Sequence, residues 1–194
     1  MLLSRIGVVN NTTNTHIKFE PMASDYFFLS VNNDVNDNRD FYSYWRILGN
    51  GVNPPLEVGI NNATGTIKQI TLFVDADCFG RFQFNRKDVS TGNIIVDSSI
   101  FTKFHDFVDI DGDYSVSLAG KTFVCKFTDE LSVNESIINE RVEFIINSEN
   151  LLVGFSIDNL TELEIDIISS IMCEQSTNKA KTLDDTRTVN RLLK

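Results

Sequence analysis

The chain is poor in the residues that staple, break or metallate a fold. Its 194 residues include 3 Cys, 3 Pro and 2 His. Cys78, Cys125 and Cys173 are odd in number, far apart and form no Cys-x-x-Cys. They read as small thiols of a reducing compartment, not as a disulfide framework. His16 and His105 cannot complete a zinc set of known spacing. Ala, the best helix former, occurs only 5 times. No apolar run approaches the roughly 20 residues of a membrane-spanning helix. The opening Met1-Leu2-Leu3-Ser4-Arg5-Ile6-Gly7 soon turns polar and shows no cleavage site, so no signal peptide is read and a cytoplasmic protein is expected. There is no Gly-x-Ser-x-Gly elbow. Gly49-Asn50-Gly51 runs into Pro54-Pro55, which is wrong for a phosphate-binding helix start.

What is abundant is β-forming. Ile, Val, Phe, Thr, Tyr and Trp together supply 70 of the 194 residues. Twenty Asn, mostly between apolar runs, suit turns. Strands are expected at residues 2–9, 16–20, 26–31, 56–60, 66–74, 79–84, 104–110, 113–118, 121–127, 142–147 and 151–157, and the aromatic-dense stretch 41–48 reads as half buried. Two hairpins stand out. One turns through Asn61-Asn62-Ala63-Thr64-Gly65. The other turns through Asp111-Gly112, a dipeptide suited to a type I′ turn. Both residue sets of the strand at 66–74 gain apolar character towards its end, which predicts a covered region of sheet. Asn159-Leu160-Thr161-Glu162 reads as a variant capping box. Leu160, Leu163, Ile167, Ile168 and Ile171 then share a helical face; Leu163–Ile167 also alternates as a strand would, and the helix is preferred on the cap and the length. The fold class expected is mainly β (α+β): an antiparallel sandwich or one strongly curved sheet with a C-terminal helix. Residues 1–173 are taken as a single β-rich domain and 174–194 as a tail ending in a short helix. The part beyond Ser132 is also read as a small α+β unit docked on the sheet.

The formal net charge is −10. The last 21 residues carry five bases and three acids, so the first 173 hold −12. Such a body repels nucleic acid and anionic lipid and steers a basic partner inward. Neither nucleic acid nor membrane is therefore expected as a partner. The polar Asn32–Asp40 loop sets Asp34, Asp37 and Asp40 beside an aromatic group that includes Tyr42 and Trp45. Aromatics beside carboxylates suit a surface that meets a basic protein, and these five are the candidate partner-binding residues.

Asp109, Asp111 and Asp113 have the spacing of the first ligands of a calcium loop. Tyr114 and Gly120 stand where that loop needs its Gly and its bidentate Glu, so no metal is expected there. Asp75 and Asp77 read as a solvated strand end. No catalytic residue, cofactor or metal site is assigned.

Leu56-Glu57-Val58-Gly59-Ile60 through Gly65-Thr66-Ile67-Lys68-Gln69-Ile70-Thr71-Leu72 resembles a pattern seen in small uncharacterised Firmicutes proteins, and so does Val153-Gly154-Phe155-Ser156-Ile157-Asp158-Asn159-Leu160-Thr161. Some of those resemble immunity proteins that neutralise bacterial toxins. The resemblance covers about a fifth of the chain and assigns no residue a role. It implies a bacterial toxin inhibitor. The expected function is thus a non-enzymatic, acidic protein-binding module. The alternative is a small metal-dependent hydrolase built on His105, Asp106, Asp109, Asp111 and Asp113.

Overall fold

The computed structural model describes residues 2–10, 12–22, 25–33, 42–49, 54–82, 84, 88–103, 106–129 and 133–172. Fourteen strands run through them: β1 (Arg5–Val9), β2 (Thr15–Pro21), β3 (Tyr26–Asn33), β4 (Tyr42–Ile47), β5 (Leu56–Asn61), β6 (Ile67–Asp75), β7 (Asp88–Thr91), β8 (Asn93–Val96), β9 (Phe107–Ile110), β10 (Ser115–Ala119), β11 (Thr122–Lys126), β12 (Val133–Asn139), β13 (Val142–Asn147) and β14 (Leu152–Ile157). Residues 162–172 form a helix, α1. The fold is mainly β, as the composition implies.

Two six-stranded sheets carry the architecture. The first has the order β2-β3-β6-β5-β4-β9 and the second β10-β11-β14-β13-β12-β7. Alternation along each strand sends one set of side chains between them. Phe27, Leu29, Trp45, Val58 and Leu72 of the first sheet join Phe123, Phe144, Phe155 and Ile157 of the second in one buried cluster. The Phe123 ring meets Phe19 edge-on at 5.7 Å, and Trp45 lies 5.6 Å from Phe127. Neither sheet closes into a barrel. The result is a sandwich.

The stretch between the two meanders stitches them together. β7 adds to the second sheet parallel to β12, β8 pairs with β1, and β9 adds to the first sheet parallel to β4. The β1–β8 ribbon touches both sheets, through Thr66–Ile95 and Ser4–Leu151 bridges. At one end of the sandwich Asn139 donates to Thr13, Thr15 and Asn93, and Thr15 donates to Asn33. These buried polar groups are satisfied across β2, β3, β8 and β12, so they hold the layers in register without an unpaired donor.

Five expectations need correction. Asp111-Gly112 is not a hairpin turn: β9 and β10 lie in different sheets, and the linker crosses between them with Gly112 at φ 153. Among the described residues of 79–84 there is no strand, only a single bridge from Phe79 to Val116. The part beyond Ser132 is not a docked unit, because β14 pairs with both β11 and β13 inside the second sheet. Along β6 the outward Gln69, Thr71 and Phe73 are half-buried, not covered, while Ile67, Ile70, Leu72 and Val74 are core. The helix cap sits two residues later than read. Thr161 caps α1, its Oγ1 accepting from Glu164 N at 3.3 Å while Glu164 Oε2 accepts from Thr161 N at 2.7 Å. Leu163 is consequently rotated to solvent, and Leu160, Ile168 and Ile171 are buried. The turns at 61–65 and 119–120 and the β13–β14 turn form as expected.

Candidate functional site

The first sheet ends in an acidic cleft. β6 finishes at Asp75, whose carboxylate accepts from the backbone N–H of Asp77 (3.0 Å) and Cys78 (3.1 Å). That bond starts the short 3₁₀ turn Ala76–Cys78 and fixes Asp77 outward. The linker from β9 to β10 brings Asp113 and Tyr114 to the same place. Leu48, Gly49 and Pro54 complete a cleft of about 270 Å³, and none of its lining residues among those described is basic. Gly49 N–H donates to Gly112 O at 3.0 Å, which ties the two rims. Asp25 precedes the strand whose Tyr26 pairs with Asp75, so it stands at this end too. Asp25, Asp77, Asp111 and Asp113 are all exposed.

The floor of the cleft is chemically quiet. Burial pushes the Cys78 thiol up to about 12, so it carries no thiolate at neutral pH. Burial likewise pushes the Tyr114 hydroxyl well up, and that hydroxyl donates to Phe73 O at 2.5 Å. Among the described residues no three His, Cys, Asp or Glu side chains stand as a metal-binding group.

The first sheet also has an outer face that is rich in aromatics. Alternation sends Tyr26 and Phe28 of β3, Phe73 of β6, Tyr42 and Tyr44 of β4 and Phe107 of β9 away from the core. Phe28 and Phe73 meet at 4.9 Å, and Tyr44 stacks on Phe107 at 5.6 Å with planes 15° apart. Arg46 lies 4.4 Å over the Phe107 ring and grips Asp109 with both arms, at 2.7 and 2.9 Å. The hydrogen bond and charge of Asp109 raise the Arg46 pKa further. Gly59 lies under the Tyr44 ring, the close approach that a strand glycine permits.

The expected partner-binding residues part company here. Asp34, Asp37 and Asp40 lie outside the described residues. The flanking Asn33 and Tyr42 are at the far end of the first sheet from the cleft, since β3 runs about 23 Å from Tyr26 to Asn33. Tyr42 is half-buried on the outer face. Trp45 is a correction: it is fully buried against Phe127, because its place on β4 has the parity of Ser43 and Ile47. It is core, not contact.

The hydrolase set is dispersed as well. His105 is outside the described residues. Asp106 accepts from the N–H and hydroxyl of Thr102, both at 2.9 Å, and those bonds lower its pKa. Asp109 is held by Arg46. Two carboxylates of that set are therefore already engaged in local structure. Sequence reasoning missed the cleft because Asp75 and Asp113 are distant in the chain, and it missed Phe73 and Phe107 because each stands in a strand apart from the others. No protein-family model matches the sequence, and no curated protein is significantly similar to it.

Proposed function

We propose that the protein is a non-enzymatic module that binds a basic protein through its acidic surface. An immunity protein that occludes a basic bacterial toxin in the cytoplasm is the form of this reading that the sequence resemblance favours. The observation that carries it is the convergence of Asp75, Asp77 and Asp113 on one cleft, with Asp25 and Asp111 exposed at the same end, in a chain of net charge −10. Carboxylates gathered on one end focus the field and speed encounter with a cation-rich surface. Leu48 and Pro54 offer the apolar wall against which a long basic side chain lays its methylene stem.

Copurification from the native host tests the proposal. The expected partner is a protein of high isoelectric point whose affinity falls as salt rises. A purified protein that turns over a small substrate, and loses that turnover on Asp109→Ala, would overturn it.

A further inference from the structure

The two sheets treat their outer faces differently. The second sheet covers its own: Val124, Val133, Ile145 and Val153 are buried under Phe82, Phe84 and Leu2. On the first sheet, Phe28, Phe73 and Phe107 belong to neither buried cluster, and Phe107 is 52% exposed. Three Tyr, three Phe and Arg46 lie on the first sheet's outer face, residue types enriched at protein interfaces.

We infer that this outer face is the contact between two copies of the chain, packed sheet on sheet about a two-fold axis. Size is the first argument. Six strands about 4.8 Å apart, with about six residues each at about 3.3 Å, give a footprint of roughly 550–600 Å² before side-chain relief. Stable interfaces begin near 600 Å² per partner.

Charge is the second. Two bodies of net charge −10 repel, so they meet only where the field is locally balanced. This face carries Lys18 and Arg46 against Glu20, Glu57 and Asp109. Both cations are paired within the face, Lys18 with Glu20 and Arg46 with Asp109 and Glu57. Closing it strands no lone cation, and the rings of Phe28, Phe73, Tyr44 and Phe107 supply the apolar contact. A basic partner is drawn instead to the cleft end, which Asp75, Asp77 and Asp113 line and where no lining residue among those described is basic.

The salt response separates the two associations. Screening relieves repulsion between two acidic copies, so dimerisation holds or strengthens as salt rises, whereas a basic partner is lost. The test is sedimentation velocity of the full chain over about 1–100 μM, where an interface of this size dissociates. Each run is repeated at low and high salt. A concentration-dependent dimer that survives high salt is expected. The double variant Phe28→Asp/Phe107→Asp should weaken it at least about tenfold. Thr71→Lys, half-buried at the centre of the face, should act likewise and covers the case in which the double variant misfolds. Leu163→Asp, on α1, should leave the dimer intact. A monomer throughout the range overturns the inference, including one whose face instead takes a soluble ligand. A dimer indifferent to both face variants also overturns it.

Discussion

The two six-stranded sheets share a core but not a task. The second is covered on its inner face and over the middle of its outer face, although Val89 of its edge strand β7 is 54% exposed and a cleft of about 230 Å³ opens beside Phe84. The inner face meets the first sheet, and the middle of the outer face lies under Phe82 and Phe84, burying even Glu143, which is 3% exposed and accepts from Ser156 at 3.0 Å. The first sheet is sealed on one face only, and it carries the acidic cleft at its end. The proposed reading gives scaffold duty to the second sheet and contact duty to the first. Substitutions in the second should therefore register in stability, and substitutions on the outer face and end of the first in association.

The largest expected effect is Ile145→Asp. Ile145 is 1% exposed on the covered outer face, and an unpaired carboxylate there should cost several kcal/mol, about 3–5, in urea unfolding. Thr71→Asp, on the corresponding face of the first sheet, should cost under about 1 kcal/mol. Equal losses would erase the contrast.

Strand glycines give a matched pair. A Cβ on Gly154 would strike the Cys125 carbonyl oxygen across β14 and β11, so Gly154→Ala should cost about 2–4 kcal/mol. A Cβ on Gly59 would meet only side-chain atoms of Gln69 and Tyr44 at 3.4 Å, and Gly59→Ala should cost about 1 kcal/mol or less. Thermal melts of the two variants rank them.

The helix that closes the core should show a smaller, pH-dependent effect. Burial acts to raise the Glu164 pKa, but bonds from Arg141 at 2.8 Å and from Thr161 outweigh it and hold it below the ordinary value. A depressed carboxylate stabilises the fold above its unfolded pKa of about 4.3 and loses that contribution as pH falls through the folded value. Thr161→Ala should cost about 1 kcal/mol at neutral pH, and the difference from wild type should shrink in acid. At the alkaline side, Cys78, Cys125 and Tyr114 are all raised by burial, so stability should decline as pH climbs past the unfolded thiol value of about 8.5. A flat alkaline profile would contradict the burial of the thiols.

Much of the fold was legible where the signal is local. β-forming runs located β2, β3, β5 and β6, and the Asn-rich loop with Gly65 at φ 71 located the β5–β6 turn. Asp111-Gly112 misled because turn chemistry is local and strand pairing is not. β9 has only four residues and takes its partner from β4, across the chain, while β10 pairs with β11. β7 and β8 escaped notice for the same reason: four residues each, with Asp88, Ser90 and Thr91 polar, give periodicity nothing to work on. At the site, charge was legible as a total but not as a place. Asp75 and Asp77 read as a strand end, and only the crossing linker brings Asp113 to them. Trp45 shows the converse limit, because an aromatic-rich strand does not reveal from the sequence which parity faces the core.

The claim that the first sheet does the contacting rests most directly on the cleft. The measurement is the association rate of the wild type and of Asp75→Asn/Asp77→Asn/Asp113→Asn with the copurified partner, at low and high salt. Asn keeps the acceptor that Asp75 offers to the 3₁₀ turn, so folding should hold. The variant should associate about tenfold or more slowly at low salt and match the wild type at high salt, where steering is screened. An unchanged rate and an unchanged salt dependence would show that the acidic end is not where the partner lands.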